Sequence, residues 1–293
     1  MPSSISKAES DVSGPSPRPE VALPFFSANL SRRLLVALIG IPALVFISYK
    51  GGYWLYAFCI LVAVLGSWEL AAMLLAKNVR VGKRLATLLA IVLVSMFQFS
   101  KFGQLGLFVI FILFMLAAVL KLIETGVVNY TSRLAMAILT AIYPGFFVSF
   151  SILIHREFAP TGWVFLLFIF ANTWLADTFA YAFGRWLGKR KLAPTISPAK
   201  TRVGLIASFP GGLIAAYMAK PFLPNWSIGS LIALSIIATA FGQIGDLVES
   251  AIKRDCGVKD SSSLIPGHGG VLDRFDSFVI ALPAIYFAVR LFS

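Results

Sequence analysis

Three aspartates near the C-terminus are spaced so that they can act together. Asp273 and Asp276 are three residues apart, so both carboxylates project from one face if the last helix of the chain begins there. Asp246, Ser250 and Lys253 stand at i, i+4 and i+7, with Glu249 adjacent on the same side, and form a second polar face able to meet the first. Between the faces lie Arg254, Asp255, Lys259 and Asp260, then Pro266-Gly267-His268-Gly269-Gly270, with Arg274 just beyond. Cations and exposed backbone N–H groups hold phosphate oxygens and carboxylates hold Mg²⁺, so the chemistry in view is that of a phosphate and metal site. Three carboxylates beside Lys, Arg and Gly serve no obvious packing purpose.

A second polar stretch lies upstream. Asn172 and Thr173 interrupt an apolar run, and Thr173, Asp177, Tyr181 and Arg185 recur at every fourth residue along one helix face. The stripe leads into Gly188, Lys189, Arg190 and Lys191, then Ser197-Pro198-Ala199-Lys200-Thr201, a basic loop suited to anionic headgroups or a nucleotide triphosphate. Plainer readings stand beside these. Lys189, Arg190 and Lys191 serve equally well as topology charges. Asp177 can pair with Arg185 two turns away, and Glu69, inside an apolar run, can make an interhelical hydrogen bond. Cys256 reads as a loop residue, and the 26 Phe as packing and lipid-facing groups.

The elements that must carry these residues are membrane helices. Of 293 residues, 58% are hydrophobic and 13% charged, and the mean hydropathy is +0.86, too apolar for a water-soluble exterior. The net charge of +12 comes from basic residues set between apolar runs, not along one stripe, which argues against a nucleic-acid partner. Two cysteines, Cys59 and Cys256, give neither a disulfide framework nor paired metal-ligand spacing. Residues 1–30, rich in Ser, Pro and Glu, read as a disordered cytoplasmic tail. The first apolar run lies too far from the N-terminus for an ordinary signal peptide.

A bilayer core about 30 Å thick takes about 20 apolar helical residues. On that scale the runs are 34–50, 53–76, 85–100, 102–123, 134–154, 162–187, 203–219, 228–250 and 277–292, which predicts an all-α polytopic bundle of about nine transmembrane helices. The run 203–219 contains Pro210, Gly211 and Gly212 and is the one that a broken or re-entrant helix would also fit. With the N-terminus cytoplasmic, only Lys50, Lys101, Arg156, Lys220 and Arg290 fall outside, leaving 20 of the 25 basic residues inside. The chain divides accordingly into the tail, N-terminal transmembrane helices over 31–160 and a C-terminal transmembrane catalytic region over 161–293.

The residues from Ser250 through Lys253-Arg254, Lys259-Asp260, Pro266-Gly267-His268-Gly269-Gly270 and Asp273-Arg274-Phe275-Asp276 closely resemble the signature of bacterial phosphatidate cytidylyltransferases (CDP-diacylglycerol synthases). The likeness extends to Asp177 through Arg185, Gly188-Lys189, Lys191-Leu192, Ser197-Pro198, Lys200-Thr201, Gly204 and Ser67-Trp68-Glu69. One departure is Val203, where the family usually carries Glu before the glycine matching Gly204.

The resemblance implies a nucleotidyltransferase of phospholipid biosynthesis that condenses CTP with phosphatidate to CDP-diacylglycerol and pyrophosphate, in the bacterial cytoplasmic (inner) membrane with its site facing the cytoplasm. Asp246, Asp273 and Asp276 would ligate Mg²⁺ and a second metal ion, with Lys253 completing the catalytic set. Lys253 and Arg254 would hold the triphosphate, and Lys200 with Arg185 or Lys189 the lipid phosphate or the pyrophosphate end. Asp177, Ser197, Thr201, Ser250, Arg274, Gly269 and Gly270 join the substrate-binding set, as does His268, which would contact base or phosphate and not act as general base. Membrane phospholipids are the other expected partners, and a homodimer is compatible with such a bundle. The rivals are a secondary transporter, for which the two halves show no convincing internal repeat, and a related enzyme acting on another lipid phosphate.

Overall fold

A computed structural model describes residues 28–99, 104–265 and 269–293. Most of the N-terminal tail and Pro266, Gly267 and His268 lie outside the described residues. The chain folds into helices α1 (Ala28–Lys50), α2 (Gly52–Ala76), α3 (Lys83–Phe99), α4 (Gln104–Thr125), α5 (Tyr130–Ala141), α6 (Phe150–Glu157), α7 (Gly162–Leu187), α8 (Arg202–Ala219), α9 (Ile228–Asp255) and α10 (Leu272–Phe292). Among the described residues, six segments are long and apolar enough to cross a membrane: Gly52–Ala76, Tyr130–Glu157, Gly162–Leu187, Arg202–Phe222, Ile228–Asp255 and Leu272–Phe292. Large apolar side chains such as Leu38, Trp54, Trp186 and Leu291 face outward, an exterior suited to lipid.

Two sequence expectations change, and a third, the span at 203–219, holds. The all-α class gains a small antiparallel hairpin, β1 (Lys191–Ala193) with β2 (Ser197–Thr201), pairing Lys191 with Thr201 and Ala193 with Ser197. Its turn holds Pro194 and Thr195, residues that leave helical backbone readily. The run 134–154 is not one regular helix: a π-helical turn, Ile142–Phe146, separates α5 from α6. Pro144 lacks an N–H to donate there, and the carbonyl of Gly145 accepts from the Ser149 hydroxyl at 2.6 Å. The run 203–219 is a continuous helix despite Pro210, so the broken alternative does not hold over these residues.

Close approach of small residues sets where α7 and α8 meet and where α9 and α10 meet. A side chain at Gly211 would meet the Leu175 carbonyl at 2.6 Å and the Phe179 ring, so α7 and α8 touch backbone to backbone. Asn172, fully buried on α7, donates to the Gly212 carbonyl at 3.1 Å and the Ser235 hydroxyl at 2.8 Å and accepts from Thr239 at 3.1 Å. It therefore ties α7, α8 and α9 together where no solvent can satisfy the amide.

A Cβ added at Gly245 on α9 would lie only 2.5 Å from the Asp276 carbonyl oxygen on α10. Gly245→Val is expected to push these helices apart, costing about 1–3 kcal/mol and displacing Asp276. A thermal midpoint equal to wild type in detergent would contradict that contact.

Candidate active site

The two polar faces meet where the C-terminal end of α9 crosses the start of α10. Asp246 accepts from the Ser250 hydroxyl at 3.2 Å and pairs with Lys200, whose Nζ lies 2.7 Å from Oδ2. The hairpin is what brings Lys200 there: Arg254 Nε on α9 donates to the Ile196 carbonyl at 3.1 Å, and Thr201 caps α8 by accepting from the Gly204 N–H at 3.1 Å. From α7, Asp177 accepts from Gln243 Nε2 at 3.0 Å. Asp177, Asp246 and Asp276 lie close enough to feel one another's charge, with Lys200, Arg274 and Lys253 as the nearby cations.

A second cluster sits one turn further along. Lys253 Nζ lies 2.6 Å from Asp273 Oδ1 and 3.1 Å from Glu249 Oε1, all three side chains at least 89% withdrawn from solvent. The other oxygen of Asp273 accepts from the backbone N–H groups of Ser261 and Gly270, each at 2.8 Å, and lies 2.9 Å from the Ser261 hydroxyl. Glu69 reaches the same loop from α2, accepting from the Ser262 hydroxyl at 2.7 Å and the Val271 and Leu272 N–H groups at 2.8 Å.

Beside these clusters a cavity of about 660 Å³ opens between α1, α7 and α10. Ile41, Phe58, Phe170 and Trp174 line its apolar part, and Asp177, Asp273, Arg274 and Asp276 contribute its polar part. An apolar cavity bordered by ionic groups suits an amphiphile.

Comparison with known proteins bears on which amphiphile. The sequence pattern of the cytidylyltransferase family matches residues 31–292. The chain belongs to the cytidylyltransferase family. Among curated relatives, the phosphatidate cytidylyltransferase of Staphylococcus epidermidis is 33% identical over 254 residues, covering 86% of this chain and 96% of that one. That of Staphylococcus saprophyticus is 48% identical over 130 residues, 44% of this chain and 50% of the relative. That of Staphylococcus aureus is 44% identical over 140 residues, covering 47% and 54% respectively. The latter two matches each span only about half the relative's length.

Within this cytidylyltransferase the predicted residues separate into two groups. Asp177, Lys200, Asp246, Ser250, Lys253, Asp273, Arg274 and Asp276 gather around the α9–α10 crossing and the cavity. Arg185 and Lys189 are exposed, and Arg185 donates to the Tyr181 hydroxyl at 2.9 Å, so Asp177 and Arg185 have other partners than each other. Thr201 serves as a helix cap, Ser197 pairs within the hairpin, and Val203 occupies the first turn of α8, which carries no acid. Gly269 has φ +80°, open to glycine, and Gly270 is packed against Ser261 and Glu69.

Beside Glu249, which the sequence already placed on the Asp246 face, the fold makes Gln243, Ser261 and Ser262 central. Glu249 is buried beside Lys253, Gln243 holds Asp177, and Ser261 and Ser262 bond the two carboxylates that flank their loop. Gln243 was findable one turn before Asp246; Ser261 and Ser262 lie inside the motif from Ser250 to Asp276, and only tertiary contact distinguishes them from its other residues. Cys256 is buried, and burial and neighbouring Asp255 push its thiol up, which keeps it unreactive.

Proposed function

We infer that this chain is a phosphatidate cytidylyltransferase, forming CDP-diacylglycerol and pyrophosphate from CTP and phosphatidate. The observation that carries the reading is the cavity whose apolar walls meet Asp177, Arg274 and Asp276. Acyl chains match the apolar part and the phosphate the ionic part, while family membership supplies the nucleotide. A phosphatidate oxygen attacks the α-phosphorus of CTP in line, the new P–O bond forms as the bond to the β-phosphate oxygen breaks, and pyrophosphate leaves. A phosphate monoester is already anionic near neutral pH, so the step needs positioning and charge neutralisation more than a general base. Lys200, Lys253 and Arg274 provide fixed positive charge around the crossing.

Asp246 and Asp276 offer hard oxygen donors from α9 and α10, the ligand class that Mg²⁺ takes. Asp273 fits less well as a ligand, because Lys253 and three donors from Ser261 and Gly270 hold its two oxygens, whereas Asp246 meets only the Ser250 hydroxyl at 3.2 Å and Lys200. Among the described residues no three His, Cys, Asp or Glu side chains converge on one point, so Asp246 and Asp276 would share the ion with substrate oxygens. Bound there, Mg²⁺ would supply charge neutralisation for the phosphates. A second metal ion, and roles for Arg185, Lys189 and Arg254 at the triphosphate or pyrophosphate end, belong to the same proposal.

The finer topology is also proposed: nine spans, obtained by adding α1, α3 and α4 to the six long apolar segments, with a cytoplasmic N-terminus and site in a bacterial inner membrane. The basic loops support it. Purified protein in detergent is expected to convert radiolabelled CTP and phosphatidate into labelled CDP-lipid, and EDTA to stop it. Absence of product with every phosphatidate tried would rule the activity out.

A further inference from the structure

Glu69 is the one charged residue in the 25-residue helix α2, and it is 6% exposed. Burying a carboxylate is costly unless hydrogen bonds replace its water. Here the replacement comes entirely from residues about 200 positions away: Oε1 accepts from the Ser262 hydroxyl at 2.7 Å and the Val271 N–H at 2.8 Å, and Oε2 from the Leu272 N–H at 2.8 Å. The Ser261 hydroxyl, 3.1 Å from Oε2 and 2.9 Å from Asp273, divides its one proton between the two acids.

Val271 and Leu272 open α10, and Val271, the residue in the cap position, has no side-chain acceptor of its own. A helix start leaves its first N–H groups unpaired and favours negative charge, so Glu69 caps α10 from another helix. Gly270 is the counterpart of this contact: any Cβ there would collide with the Ser261 hydroxyl and come within 2.5 Å of Glu69 Oε1. Asp273, Arg274 and Asp276, which face the cavity, occupy the first turns of the helix so capped.

We propose that Glu69 is a positioning residue for cytidylyl transfer: it sets the start of α10, and with it Asp276 and Arg274, without touching substrate. The proposal rests on the function inferred above. Glu69→Gln keeps the size of the side chain but turns one acceptor into an N–H₂ facing donors. Its expected effects are a 10- to 100-fold fall in kcat, KM values for CTP and phosphatidate within about threefold of wild type, and faster hydrogen exchange confined to the amides of residues 269–272. Glu69→Asp, which restores both acceptors and the charge, is expected to recover much of the lost turnover. Ser262→Ala removes one donor while leaving the carboxylate charged, and is expected to lower kcat by a smaller factor; it decides the matter if Glu69→Gln does not fold.

Wild-type kcat in Glu69→Gln, or a loss accompanied by faster exchange throughout α7 and α9, overturns the positioning role. If the wild-type protein makes no CDP-lipid, the functional reading fails instead, and the local exchange change still reports whether Glu69 holds α10.

Discussion

Replacing Asp276 with Asn is expected to lower kcat by at least about 100-fold, the scale of losing one preorganised electrostatic contact in a transition state, while the protein stays monodisperse and at least as stable as wild type. The physical reason lies in the crowding of acids at the crossing. Asp276 stands near Asp246 and Asp177, so like charges crowd it. Asn has the same shape and keeps an oxygen for the Ser277 N–H, which Asp276 holds at 2.6 Å. Removing the charge therefore relieves repulsion in the fold and removes the group proposed to meet the metal and phosphates, a stability gained at the expense of function. CDP-lipid formation and the thermal midpoint in detergent check both halves. Near wild-type turnover would remove Asp276 from the mechanism.

Lys253 is expected to behave in the opposite way. Its ammonium group is the cation between Glu249 and Asp273, at 3.1 and 2.6 Å, and the acids are 1% and 6% exposed. Lys253→Met leaves two buried carboxylates without that partner, and breaking such a pair by removing one member costs about 3–5 kcal/mol. The variant should lose both its fold margin and its activity. Adding Glu249→Gln removes one of the stranded charges, so the double variant should regain part of the thermal midpoint while turnover stays absent. A single variant that melts like wild type would show that the cluster contributes little to the fold, contrary to its burial.

These two residues look alike in the sequence, each a polar group near the Gly-rich motif, yet the expected consequences differ because their partners differ. The family resemblance implies a triphosphate contact for Lys253; its observed partners put it at the centre of a buried ion cluster. Asp273 and Asp276 share a spacing that puts them on one helix face and both border the cavity, but Asp273 is held by Lys253, Ser261 and Gly270, while Asp276 makes none of those bonds. Spacing gives direction from the helix axis and not the identity of what stands opposite.

By itself the sequence determined what depends on composition and period. Apolar runs long enough to cross a bilayer set the helices, since a chain this hydrophobic must pair its backbone internally. The i, i+3 and i, i+4 spacings located Asp246 to Lys253 and Asp273 to Asp276, and the motif from Ser250 to Asp276 pointed to the family that residues 31–292 match.

The tertiary structure decided what depends on contacts between distant segments. It folded Lys191 to Thr201 into a hairpin that carries Lys200 to Asp246, made Asn172 an interhelical tie, and kept α8 helical through Pro210 with Gly211 against α7. It also resolved Glu69. The sequence could say only that a lone acid in an apolar helix must find donors; that the donors are the opening amides of α10 follows from packing α2 against a helix some 200 residues later. Hydrogen-bond need is written in the residue type, and the partner that meets it is fixed only when the helices come together.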